Sequence, residues 1–158
     1  MKQHEYARLC LAIKHSHPDI YEETIGRMQA TLSDTSVIPS LYDLYLESYP
    51  LSRDTKRDDV VTHELIFITS ILYLYCPSAL FLNLRVTDRI CTILQRLMGY
   101  NNRQSISEKV SSARTYVKVK AFYEKVQIVS EQLNTHAQAV PSSLFVEQVS
   151  NQYEFVFK

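Results

Sequence analysis

The sequence predicts an all-α protein, in which residues 1–158 form a single compact domain of six or seven helices. Three observations indicate this class. The chain is 158 residues long, the size of one ordinary domain with one core. Its composition, 46% hydrophobic and 22% charged, is that of a globular protein. Only two Gly and five Pro are present, too few turn residues for a β fold of many strands.

Three helices are predicted in the first fifty residues. Apolar residues at i, i+3, i+4 and i+7 predict a first helix that ends before Pro18. A second apolar stripe predicts a helix that begins near Pro18, with acidic residues in its first turn. After the loop SDTSVIP, Ser40 and Asp43 resemble a capping box for a short helix that runs to Pro50.

The longest apolar stretch, from Val60 to Leu82, is the predicted central buried element. Thr55 and Asp58 are the predicted cap of its helix, and Pro77 interrupts it. It contains 18 consecutive uncharged residues, the lower limit for a membrane-spanning helix. Pro77, the diluting Ser and Thr residues and the lack of an aromatic belt favour a core helix instead. We therefore expect no membrane association.

Two helices are predicted on either side of a turn at Gly99. Apolar spacing predicts a helix over residues 87–98, and Gly99 follows where helices end in left-handed geometry. Ser105 and Glu108 have the S-x-x-E spacing of a capping box, which predicts a second helix over residues 106–117.

The C-terminal third contains one ambiguous boundary. Near Lys118 the apolar stripe changes phase and then continues to Leu133, so either one helix bends there or two helices abut. The final YEFVFK alternates in part like a strand, and it could equally be a tail or a packed cap.

The formal charge of zero is unevenly distributed along the chain. Residues 85–125 hold nine Lys or Arg against three Asp or Glu, a net charge of +6. Residues 1–84 hold seven against eleven, net −4, and residues 126–158 hold one against three, net −2. Because a polyanion responds to the local field, this basic helical sub-region can bind DNA phosphates although the whole protein is neutral.

The helix pair around Gly99 resembles a loose helix-turn-helix unit near residues 87–117. The connector of about six residues is longer than the three or four of the compact motif. We hypothesise a regulatory or DNA-maintenance protein that binds duplex DNA. We also expect a homodimer, because paired half-sites are the common route to specificity.

The predicted DNA contacts combine helix arginines with a polar connector and a stripe on the second helix. The arginines would hold phosphates, and the connector side chains have the donors and acceptors that suit base edges. The stripe is about 60° wide at helical spacing. The predicted nucleic-acid-binding residues are Arg85, Arg89, Arg96, Asn101, Asn102, Arg103, Gln104, Ser107, Ser111, Arg114 and Lys118.

A second hypothesis concerns the tyrosines of the acidic N-terminal half. Tyr42, Tyr45 and Tyr49 are spaced i, i+3 and i+7, and an exposed tyrosine stripe is good contact surface for a partner protein. The alternative function is thus a non-enzymatic adaptor or inhibitor. If the same rings are buried, this version of the hypothesis fails.

No pattern indicates catalysis, a metal or another cofactor. The five His are not at metal-ligand spacings, and His63 lacks the second His of an H-E-x-x-H helix. Cys10, Cys76 and Cys91 are odd in number and lie in apolar runs, as expected for buried, reduced thiols. The start of the sequence does not resemble a signal peptide, so we expect a cytoplasmic protein. Because no catalytic pattern is found, we expect that it is not an enzyme.

Overall fold

A computed structural model describes residues 3–139, which form eight α-helices and no strand. In chain order the helices are α1 (Gln3–Ser16), α2 (Pro18–Met28), α3 (Ile38–Ser48), α4 (Arg57–Tyr75), α5 (Pro77–Phe81), α6 (Asp88–Leu97), α7 (Arg103–Tyr116) and α8 (Lys120–Ala139). A one-turn 3-10 helix, Thr35–Val37, precedes α3. The all-α class is confirmed. The YEFVFK segment lies outside the described residues.

The helix count exceeds the predicted six or seven because the predicted central element, Val60 to Leu82, consists of two helices. Proline has no N–H to donate and its ring clashes with the preceding turn. Helix α4 therefore ends at Tyr75, and Pro77 is the first residue of α5. Cys76 between them has non-helical backbone, with φ −153° and ψ 61°.

Helix α4 is the centre of the core. Helices α3, α5, α7 and α8 pack on it, and its side chains from Phe67 to Leu72 are fully buried. Two of these are polar and have internal partners. The Thr69 hydroxyl donates to the Leu65 carbonyl at 2.6 Å, and the Ser70 hydroxyl donates to the Ile66 carbonyl at 2.8 Å. Both groups are thereby satisfied within the helix itself.

Helices α1 and α2 pack mainly on each other. Helix α2 also packs on α5. Of the α1 side chains that the structure describes, Ile13 alone is partly covered, so the predicted burial of Cys10 is wrong. The chain after α2 is held to the core by its backbone, because the N–H groups of Thr31 and Leu32 both donate to the Leu74 carbonyl, at 2.8 and 3.0 Å. That carbonyl lies in the last turn of α4, where intrahelical donors run out.

Between residues 3 and 139 no helix is both long enough and apolar enough to span a membrane.

The phase change near Lys118 is a junction between two helices. Helix α7 ends at Tyr116 and α8 begins at Lys120. Within the junction the Val119 N–H donates to the Tyr116 carbonyl at 2.9 Å, the tight spacing common at helix ends. Val117 before the break and Phe122 after it are both buried. Of the two alternatives that the sequence left open, a bent helix and two abutting helices, the structure has the second.

Two predicted helix caps, the Ser40–Asp43 capping box and the Thr55–Asp58 cap, are wrong. Helix α3 begins at Ile38, so Ser40 lies inside it, and the Ser40 hydroxyl donates to the Val37 carbonyl. The residue that precedes α4 is Lys56, not Thr55, and it makes no side-chain cap. In each case the helix begins within two residues of the predicted cap, but the predicted side chain does not bind a free backbone N–H group at the helix start.

Gly99 ends α6 in the predicted left-handed geometry, with φ +68°. Its N–H donates to the Arg96 carbonyl, and the Tyr100 N–H donates to the Gln95 carbonyl. These two bonds form the Schellman motif, which satisfies carbonyls that the helix leaves without donors.

Substituting Gly99 by alanine is expected to lower the free energy of unfolding by about 1 kcal/mol, because a Cβ is unfavourable at positive φ. Steric overlap does not contribute, since an added Cβ meets no atom within 4 Å. The matched control is Gly26→Ala inside α2, where the added Cβ is also in open space. There alanine is expected to stabilise by about 0.5–1 kcal/mol. Urea unfolding followed by circular dichroism measures both, and effects of equal sign would contradict the expectation.

Candidate nucleic-acid interface

The start of α7 is fixed by Asn102 in the connector. Its side-chain carbonyl accepts the Ser105 N–H at 2.9 Å and the Ser105 hydroxyl at 3.0 Å, which makes Asn102 the N-cap of α7. The predicted Ser105–Glu108 capping box is therefore wrong. Asn102 was predicted to contact bases, and its amide oxygen is instead used to begin the helix. The likeness of α6 and α7 to a helix-turn-helix unit stays a prediction.

Four of the predicted site residues line one cavity of about 440 Å³: Arg85, Arg103, Ser107 and Arg114. The cavity lies between the loop that follows α5, the first part of α6 and one face of α7. The α7 members follow helical spacing, and Val110 completes their face. The loop turns at Asn83, whose φ of 57° is left-handed, a conformation that asparagine adopts more readily than most residues.

Asp88 connects two of these arginines. The Arg85 guanidinium donates to both carboxylate oxygens of Asp88, at 2.9 and 3.2 Å. Arg103 donates to one of the same oxygens. The hydrogen bonds from Arg103 and then from Arg85 hold the pKa of Asp88 below its ordinary value. All three side chains are exposed, so these ion pairs contribute little to stability.

Arg114 makes two hydrogen bonds inside the protein, and its predicted contact with DNA stays a prediction. Its Nε donates to the Ala79 carbonyl at 2.9 Å, and its Nη2 donates to the Leu84 carbonyl at 2.6 Å. The guanidinium thus joins α7 to the end of α5 and to the loop that follows. A guanidinium has five N–H donors, so three remain for other partners, and no ion pair neutralises its charge within the described chain.

The residues of this ion-pair cluster belong to the N-terminal turns of two helices. Asp88 is in the first turn of α6, and Arg103 is the first residue of α7. Each N-terminus carries a partial positive charge from the aligned peptide dipoles. Together with three arginines against one aspartate, they make the potential around the cavity positive.

The other predicted site residues are not brought into the cavity. Gln104 donates to Glu108 one turn further along α7, at 3.0 Å, which occupies its amide group. The remaining five are exposed on the surface outside the cavity: Arg89, Arg96, Asn101, Ser111 and Lys118.

Sequence reasoning missed Asp88 and Cys91. Asp88 follows Arg85 by three residues, a spacing that pairs charges in helical segments and could have indicated the contact. Cys91 is buried and lines the cavity. Burial raises the pKa of its thiol, which keeps the thiol protonated near neutral pH. No local signal in the sequence places it beside three arginines.

The predicted exposed tyrosine stripe is wrong. Tyr45 is 2% exposed, because α3 turns this side chain toward α4, where the ring packs on His63 and Phe67. Its hydroxyl donates to the His63 carbonyl at 2.9 Å, and burial raises its pKa. Tyr42 and Tyr49 are half-buried on either side. The three rings line the edge of the core and form no contiguous contact surface.

A second cavity, of about 420 Å³, lies between α3, α4 and α8. Its lining is mostly apolar and includes Ile66, Ile128 and Val129, with Lys125 the one cation on its wall. The His63 Nε2 in this wall lies 2.7 Å from the Tyr49 carbonyl oxygen, so its ring orientation is fixed. In residues 3–139 no group of three or more His, Cys, Asp and Glu side chains is placed to hold a metal ion.

The arginine-lined cavity is therefore the candidate site. Compared with known proteins, the chain matches no protein-family model, no curated protein and no solved structure.

Proposed function

We propose that this protein binds nucleic acid without catalysing a reaction, as a regulatory or DNA-maintenance protein, through the surface around the α6–α7 pair. One observation supports this most: Arg85, Arg103 and Arg114 line a single cavity in the region of net charge +6. Guanidinium groups are the preferred donors to phosphate, because their planar N–H groups match two phosphate oxygens at once.

Phosphate contacts would supply most of the affinity. Arg103 and Arg85 are more than half exposed, so a phosphate of duplex DNA can reach both from solvent. Arg89, Arg96 and Lys118 are exposed basic residues of the same region and extend the positive surface. A protein of this kind binds duplex DNA chiefly by releasing condensed counterions, so its affinity falls steeply with salt. A homodimer, as part of this proposal, would present two such surfaces to two half-sites.

The test is a salt series of binding to a labelled duplex of mixed sequence, measured by fluorescence anisotropy from about 50 to 200 mM salt. Arg103→Ala is expected to weaken binding and to flatten the slope of log K against log salt by roughly 0.9 for each lost phosphate contact. Arg53→Ala, which removes an exposed arginine far outside the basic region, is expected to leave the slope unchanged.

Absence of duplex binding at the lowest salt, or equal slopes for the two variants, would overturn the proposal. Arg114→Ala is unsuited to this test, because loss of its contacts to the Ala79 and Leu84 carbonyls would perturb the fold as well.

A further inference from the structure

We propose that the arginine-lined cavity is a binding site for one phosphate group, and that the Asp88 carboxylate, which is bound to two of the cavity's arginines, competes with this phosphate for them until a ligand displaces it. The inference rests on the proposed function and deepens it, since it names the chemical group that is bound and the residue that competes with it.

The first argument is that two arginine side chains converge on one carboxylate. Arg85 and Arg103 come from different elements, a loop and the first turn of α7, and yet both donate to the same oxygen of Asp88. Two guanidinium groups that meet on one carboxylate oxygen are already arranged for an oxyanion. A phosphate has more charge, about −1.5 to −2 for a monoester at pH 7, and three acceptor oxygens. A phosphomonoester therefore matches this arrangement better than the single negative charge of aspartate does.

The second argument is that Asp88 can be displaced. Its side chain is 59% exposed, and those of Arg85 and Arg103 are 79% and 56% exposed. Ion pairs between exposed side chains are weak, because water screens them and because ordering long side chains costs entropy. Rotation of the Asp88 side chain into solvent would free both guanidiniums without disturbing a buried group.

The third argument is the unused binding capacity of the cavity. Arg114 forms part of its wall, its two carbonyl contacts hold the guanidinium in place, and three of its N–H donors remain. The N-terminus of α6, in whose first turn Asp88 lies, adds partial positive charge beside these arginines. Phosphate would thus meet a pre-positioned cation besides the two that Asp88 now holds.

The size of the cavity indicates what carries the phosphate. About 440 Å³ is much more than one phosphate needs and falls in the usual range of small-molecule sites, roughly 300–1,000 Å³. Val86 and Val110 supply apolar wall beside the charged groups. A sugar or similar group could therefore enter with the phosphate. Two sources share this chemistry: a phosphomonoester such as a mononucleotide, and the phosphodiester backbone of DNA.

The test compares Asp88→Asn with the wild-type chain, using inorganic phosphate, a mononucleotide and the mixed-sequence duplex as probes in calorimetric titrations. Removing the competing charge is expected to raise phosphate affinity roughly five- to tenfold. The matched control is Glu124→Gln, the same change of charge at an exposed acid that pairs with Lys120 on α8, outside the cavity. It is expected to leave the affinity unchanged. Arg103→Gln is expected to lower it about tenfold.

The three probes distinguish a phosphomonoester from the phosphodiester backbone of DNA as the ligand. If Asp88→Asn strengthens binding of phosphate and mononucleotide only, the site takes phosphomonoesters, and if it strengthens duplex binding as well, it also takes the DNA backbone. Equal affinities for Asp88→Asn and Glu124→Gln, or no phosphate binding by any variant, would overturn the inference. Salt-dependent duplex binding that persists in that case would leave the proposed function standing. Phosphate binding without duplex binding would overturn only the proposed function.

Discussion

Replacing Phe67 by alanine is expected to lower the free energy of unfolding by about 3–5 kcal/mol. The Phe67 side chain is fully buried in α4, and its ring centroid lies 4.9 Å from that of Tyr42 and 5.2 Å from that of Tyr45. The space left behind would stay largely empty, because the Tyr45 hydroxyl is held by the His63 carbonyl and cannot follow. Chemical unfolding in urea, followed by circular dichroism, gives the change directly.

Ile128→Ala is the control for this loss. Ile128 is a large apolar residue of α8 that is 62% exposed, so its truncation is expected to change the free energy of unfolding by no more than about 0.5 kcal/mol. A Phe67 variant as stable as the Ile128 variant would show that the packing of α3 on α4 is not central to the fold.

Arg114→Ala is expected to lower the free energy of unfolding by about 1.5–3 kcal/mol, an unusual cost for a partly exposed arginine. The substitution removes the charged donor from the carbonyls of Ala79 and Leu84, and Ala79 is 1% exposed. Water cannot readily replace the donor at that buried position. Thermal and urea unfolding of the variant measure the loss.

Two further variants isolate the cause. Arg114→Lys keeps the positive charge but cannot donate from two fixed nitrogen atoms at once, so it is expected to lose most of the same stability. Lys118→Ala removes a charge from the exposed chain just beyond α7 and is expected to have little effect. If Arg114→Lys were as stable as the wild type, the charge of Arg114 would matter and its hydrogen bonds would not.

The helices were predictable where the signal is local. The apolar stripe through Val110 and Val117 and the left-handed Gly99 follow from residue type and spacing along the chain, and both are confirmed. The phase change near Lys118 located the end of a stripe but left open whether one helix bends or two helices abut. The helix starts were less predictable. Asn102 and Ser105 both have side chains suited to an N-cap, and the choice between them depends on where the backbone leaves the connector.

The site was predictable only in part, because charge counts do not distinguish an available arginine from one with an internal partner. The acceptors of Arg114 are backbone carbonyls 30 and 35 residues earlier. Because every residue has a backbone carbonyl, the sequence does not indicate which of them accepts a hydrogen bond from an arginine. The contact of Arg103 with Asp88 likewise depends on how α6 packs on α7. The spacing of Tyr42, Tyr45 and Tyr49 identifies a helix face, but a face that points to the core has the same spacing as one that points to solvent.

The link between the N-terminal helices and the core has a consequence for how this sequence can evolve. The two groups that bind the Leu74 carbonyl are the backbone N–H groups of Thr31 and Leu32, and every residue except proline has one. Selection for this contact therefore places almost no constraint on the side chains at either position. The identity of residue 31 can therefore drift while the connection is inherited unchanged, whereas residue 32 is also constrained by the packing of the Leu32 side chain against the core.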